Sequence, residues 1–152
     1  MSEISWDRSR CSVAGTLAVV GEKWSLLVLR EAFFGVRRFA DLQRVLGAPK
    51  AVLSDRLATL VEQGVLVRVP YQADGARQRH EYRLTPKGRD LYPTLVALMQ
   101  WGDRYLADGP PPLELTHADC GAPVHLELTC EAGHVVAGPR EVAPVRRGAA
   151  TG

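Results

Sequence analysis

The apolar residues of this chain change their spacing several times, and each change marks an element. Val13, Leu17 and Val20 recur at i, i+4 and i+7, one face of a helix, so a short helix is predicted from Cys11 to Val20 and closed by Gly21. Trp24 to Phe34 is apolar around much of its circumference, with Leu26, Leu27, Leu29, Ala32 and Phe33, which predicts a core helix stopped by Gly35. Two amphipathic segments follow, Phe39 to Leu46 and Pro49 to Gln63, separated by only Gly47 and Ala48. That tight turn sets helix-turn-helix geometry. Pro49 suits a first helical turn, where its missing N–H costs nothing. In the second of these helices Leu53, Leu57, Leu60 and Val61 share one face. Ala51, Asp55, Ala58 and Thr59 point the other way, flanked by Lys50, Ser54 and Arg56, and leave a face free for a DNA major groove.

After Gly64 the period shortens. Val65 to Tyr71 is rich in strand formers, Gln72 to Gln78 is turn-prone, and His80 to Leu84 returns as a second strand, a hairpin with a basic tip. Arg37, Arg38 and Phe39 can supply a short extended segment beside it. Thr85 and Pro86 start a helix reaching about Ala107, hydroxyl cap followed by proline, with Pro93 expected to bend or break it. Leu91, Leu95, Leu98 and Tyr105 form one stripe on it and Val96, Met99 and Leu106 lie beside them. This is more apolar surface than one small winged helix covers, so Leu95 to Leu106 is predicted to be a dimer contact; folding back on the core is the alternative. The expected fold is α+β: a mainly helical winged helix-turn-helix with a small antiparallel β-wing and a long C-terminal dimerisation helix. Residues 1–108 form that domain. Gly109-Pro110-Pro111-Pro112 opens an appendage, 109–152, in which 12 of 44 residues are Gly or Pro. It reads as loops with a small hairpin and a disordered end from about Val145.

Charge sharpens this picture. The chain carries a net +2, but from Arg37 to Arg89 eleven Lys or Arg stand against five Asp or Glu, a net +6. Basic charge is therefore concentrated on the helix-turn-helix and wing, which suits a polyanionic partner; an ordinary solvated charged surface is the alternative for this excess alone. No apolar run approaches the roughly 18 residues of a membrane span, and Met1 to Asp7 lacks the basic-then-apolar pattern of a signal peptide, so a cytoplasmic location is expected. Three cysteines are too few and odd in number for a disulfide framework. A phosphate-binding glycine loop, a nucleophile elbow and an H-E-x-x-H helix are all missing, which argues against an enzyme.

In order along the chain, Cys11-Ser12-Val13-Ala14, Gly21-Glu22-Lys23-Trp24, Phe34-Gly35-Val36-Arg37-Arg38-Phe39, Val52-Leu53-Ser54-Asp55-Arg56-Leu57, Glu81-Tyr82-Arg83-Leu84-Thr85-Pro86-Lys87-Gly88 and Trp101-Gly102 form a specific set. With these the chain resembles the HxlR family of bacterial winged-helix regulators from Cys11 to Gly102. The resemblance implies a homodimer built from the first and last helices, with Val13, Leu17, Leu95, Leu98, Met99, Trp101 and Tyr105 at its interface. It implies binding to an inverted-repeat operator in double-stranded DNA, repression of neighbouring genes, and release by an oxidant, electrophile or small ligand. Members of that family often have a basic residue where Ala51 stands and a hydroxyl cap near Pro49, so base reading shifts here toward Lys50.

Lys50, Ser54 and Arg56 are the expected recognition-helix contacts, Arg56 reaching either guanine O6/N7 or a phosphate. Arg77 and Arg79 would set the wing on the backbone or in the minor groove, and Arg37, Arg38 and Lys87 would contact phosphates. Cys11, at a helix N-terminus and close to Arg8 and Arg10, is placed where a thiolate is favoured, as in family members that sense oxidants there; a small core residue is the plain alternative. In the tail His117, Cys120, Cys130 and His134 have spacings that a hairpin could gather around zinc. Regulators similar to this one often carry a second Cys where Gly133 stands; His134 is the candidate substitute, and a remnant site or redox-inert cysteines are the alternatives. A winged helix used for protein interaction, with the tail as a zinc module, is the second functional reading.

Overall fold

The structure, a computed structural model, describes residues 6–72, 75 and 77–145. Its elements are α1 (Ser12–Val20), α2 (Lys23–Phe33), α3 (Phe39–Leu46), α4 (Lys50–Glu62), β1 (Leu66–Tyr71), β2 (Arg79–Leu84), α5 (Pro86–Arg89) and α6 (Tyr92–Tyr105), with 3-10 turns at Arg8–Arg10 and Pro139–Glu141. The α+β winged helix-turn-helix expected from the sequence is the fold observed. Two compact units divide the chain, Ser9–Met99 and Met1–Arg8 with Gln100–Gly152. The division falls inside α6, upstream of the proline run at Gly109. A local cause is visible: the Gln100 amide donates from Nε2 to the Val124 carbonyl (2.9 Å) and accepts at Oε1 from the Leu126 N–H (3.1 Å), so the end of α6 belongs with the tail.

In the first unit the core is Val20, Val28, Leu29, Leu42, Ala48, Leu53, Leu57, Leu60, Val65 and Leu66. These residues come from α1, α2, α3, the helix-turn-helix turn, α4, the α4–β1 junction (Val65) and β1. Leu53, Leu57 and Leu60, one face of α4, are wholly buried, so that helix cannot rotate without exposing them. The α1 stripe behaves differently. Only Val20 is buried, whereas Val13 and Leu17 are exposed. Leu95 packs against the core and Val96 is buried, so this part of α6 covers its own unit. Among the described residues no single helix is long and apolar enough to cross a membrane.

Helix ends are set by local chemistry. Gly47 follows α3 in the left-handed region (φ 64°) and its N–H bonds the Gln43 carbonyl at 2.9 Å. Pro49 proves to be the residue before α4 rather than its first turn, extended at φ −56°, ψ 135°, its carbonyl accepting from Leu53 N–H at 2.9 Å. Beyond α4, Val65 N–H reaches back to the Leu60 carbonyl (2.9 Å) around Gly64 at φ 69°, a left-handed cap that delivers the chain to β1. Thr85 caps α5 by accepting from Gly88 N–H at 3.1 Å, with Pro86 behind it. The long helix breaks at Asp90–Leu91 and not at Pro93, which sits in the first turn of α6, where no helical N–H is lost.

Ser25 is the one buried polar residue among those described, and its Oγ has no hydrogen-bond partner among them. A buried hydroxyl without a partner costs about 1–3 kcal/mol, and alanine is also the better helix former. Ser25→Ala should therefore raise the urea midpoint, with a stability gain of about 1 kcal/mol. A lowered midpoint would show that the hydroxyl has a partner.

Candidate nucleic-acid interface

The hairpin pairs β1 and β2 antiparallel from Leu66↔Leu84 to Tyr71↔Arg79, and Arg38↔Glu81 adds a bridge, with Tyr82 N–H donating to the Arg37 carbonyl at 2.7 Å. The expected extended segment at Arg37–Phe39 therefore lies beside β2. The Arg38 guanidinium stacks 4.3 Å from the centre of the Tyr71 ring. Arg83 donates to Glu81 at 2.5 Å. That bond, with Arg37 and Arg38 nearby, holds the Glu81 carboxyl below its ordinary value. Arg68 meets His80 Nδ1 across the strands at 3.4 Å. The wing is thus stiffened by some of its own cations, while Arg77 and Arg79 near its tip are exposed. Ala73, Asp74 and Ala76 of the expected turn lie outside the described residues.

On α4, Lys50, Ala51, Ser54, Asp55 and Ala58 are exposed, opposite the buried leucines. Lys50 and Ser54 stand free on the flank as expected. Arg56 does not. Its side chain is only 26% exposed, it bonds the Asp55 carboxylate, and it lies 3.9 Å from Glu22, the residue preceding α2. Lys87 differs too: its Nζ donates to the Gln63 carbonyl at 2.6 Å, closing the C-terminus of α4 instead of standing free for a phosphate. Asp55, at the centre of the exposed face, was not among the expected contacts; the helical period already puts it there.

Cys11 is half-buried and immediately precedes α1, its carbonyl accepting from Gly15 N–H at 3.0 Å. The tail holds two small hairpin turns. One is bridged at Thr116↔Pro123, and the other at Thr129↔Val135. His117 and Cys120 belong to the first, Cys130 and His134 to the second. Among the described residues no three His, Cys, Asp or Glu side chains form a group able to hold a metal. Only Cys130 Sγ and His134 Nδ1 approach, at 3.6 Å. The four-ligand zinc cluster that the spacings left open is not assembled among the described residues; each turn closes on its own backbone, His117 N–H bonding the Ala122 carbonyl and Cys130 N–H the His134 carbonyl. Disorder beyond Val145 concerns residues outside those described.

Residues 19–110 match the family model described as HxlR-like helix-turn-helix. The chain belongs to this family. HxlR-like proteins are DNA-binding transcriptional regulators, and the comparisons with single proteins agree. An HTH-type transcriptional regulator of Mycobacterium tuberculosis, Rv3095, is 55% identical over 121 residues, 78% of this chain and 75% of that protein. The crystal structure of PA1607, assigned as a transcription factor, superposes with a TM-score of 0.81 at 40% identity, over 92% of this chain and 97% of that one. The redox regulator HypR in its reduced form matches at a TM-score of 0.55 and 29% identity, over 60% of this chain and 90% of that one. The matched span of this HxlR-like chain takes in α2, α3, the Gly47 turn, α4, the wing, α5 and α6.

Proposed function

We propose that this regulator works in the cytoplasm as a homodimeric repressor on an inverted-repeat operator, with α4 in the major groove and the wing on the flanking backbone. The observation that carries the dimer is exposed apolar surface. Val13 and Leu17 on α1 are 68% and 57% exposed, and Leu98, Trp101 and Tyr105, which share a face of α6 by their spacing, are 51–60% exposed. Trp101 and Tyr105 pack ring to ring at 5.5 Å and so present a preformed aromatic anchor. Two copies related by a two-fold axis would place two α4 helices on half-sites about one helical turn apart, or a multiple of it. Repression is the direct consequence of covering a promoter.

A second element of this reading is release on oxidation through Cys11, favoured by the likeness to HypR and by the position of the thiol beside α1, part of the proposed dimer surface. One experiment addresses both. Purified protein is footprinted on the DNA upstream of its own gene, with and without hydrogen peroxide, beside Trp101→Glu and Cys11→Ser. Two protected half-sites are expected for the wild type, loss of the dimer and of protection for Trp101→Glu, and protection that survives oxidant for Cys11→Ser. A monomeric wild type, or a Cys11→Ser protein still released by oxidant, would refute the corresponding part.

A further inference from the structure

A carboxylate on a surface turned toward DNA is repelled by the phosphates, and it lowers affinity unless it meets a hydrogen-bond donor. Asp55 is such a group. Its side chain is 64% exposed in the first half of α4, between Ala51 and Ala58, opposite the buried face of Leu53, Leu57 and Leu60. Helix-turn-helix proteins read base edges with the N-terminal part of this helix. Ala51 and Ala58 are too short to keep a groove away from Asp55.

The carboxylate is also held. Arg56 donates to Oδ2 and itself leans toward Glu22, so the guanidinium fixes one oxygen. Oδ1 has no partner among the described residues. Phosphates offer no donor to that oxygen, and neither do guanine N7 and O6 or thymine O4. Adenine sets its N6 donor beside the N7 acceptor, which would repel a second carboxylate oxygen. Cytosine presents an amino donor with no acceptor on its own major-groove edge, flanked only by the O6 of its paired guanine, whereas adenine N6 lies between two acceptors.

We propose that Asp55 is a specificity-determining residue that accepts a hydrogen bond from a cytosine amino group in each half-site, with Arg56 as its positioning residue. The proposal rests on the reading of α4 as the helix that enters the major groove. Arg56, expected from the sequence to reach guanine or a phosphate, then acts on sequence choice through the carboxylate it holds.

Selection of bound duplexes from a random library, followed by sequencing, tests this with the wild type, Asp55→Ala and Asp55→Asn. The wild type should enrich cytosine at one position of each half-site, and Asp55→Ala should lose roughly 5-fold or more of that discrimination at this position alone. Asp55→Asn, which can donate as well as accept, should move the preference there to adenine. Preferences unchanged at every position in both variants would overturn the assignment while leaving DNA binding by α4 intact. A wild type that enriches no sequence at all would instead remove the major-groove reading, and this proposal with it.

Discussion

Gly88→Ala is expected to destabilise the DNA-binding unit by about 3 kcal/mol or more, at the upper end of the cost of overfilling a packed site. Gly88 is buried in α5, and a Cβ there would collide with the backbone carbonyl of Val65 and approach Leu84 Cδ2 at 3.1 Å. The carbonyl cannot swing aside as a side chain could. It accepts from Thr85 N–H at 3.1 Å, and Thr85 Oγ1 donates to the neighbouring Gly64 carbonyl at 2.5 Å, so moving it breaks the junction between α4, β1 and α5. Alanine would gain back only about 1 kcal/mol in helix propensity. Gly102 in α6 supplies the control, since a Cβ there has nothing within 4 Å. Gly102→Ala should leave the urea midpoint unchanged or raise it, whereas Gly88→Ala should lower it with the slope preserved. Equal midpoints for the two variants would show that the contact at Val65 is not what requires glycine.

The same junction shows which parts of this molecule can be read from sequence. Helix α3 was legible end to end, because its apolar face and the glycine that stops it lie within the segment itself. Thr85 and Pro86 were legible for the same reason: cap and first turn are neighbours. Lys87 was not. Its partner, the Gln63 carbonyl, is 24 residues away, and a lysine next to a wing looks the same whether it meets a phosphate or a helix end. The pairing of Arg56 is hidden for a related reason, since Glu22, 3.9 Å away, lies 34 positions earlier in the chain, just before α2. The break in the last helix was set too late because proline marks where a helix cannot continue, yet is tolerated in a first turn, and here it begins one. In the tail the His and Cys spacings describe reach along the chain but not how each turn closes, and the turns close apart from one another as metal ligands.

The largest effect on function should come from salt. In the proposed dimer, Arg37, Lys50, Arg77 and Arg79 are exposed on the groove-facing elements of each copy and would supply about eight phosphate contacts, for a slope of log affinity against log salt near −7. Operator affinity should therefore fall by about 10³–10⁵-fold between 50 and 200 mM salt. Substituting both Arg77 and Arg79 by alanine removes two cations per copy and should flatten the slope by about 4, with equal losses on specific and unrelated DNA, because a backbone contact carries no sequence information. Lys87→Ala should leave the slope unchanged, since that ammonium is committed to the Gln63 carbonyl. Fluorescence anisotropy titrations over a salt series read all three. An unaltered slope in the double variant would take the wing off the DNA backbone, and a flattened slope for Lys87→Ala would mean that its bond to α4 yields to a phosphate when DNA is bound.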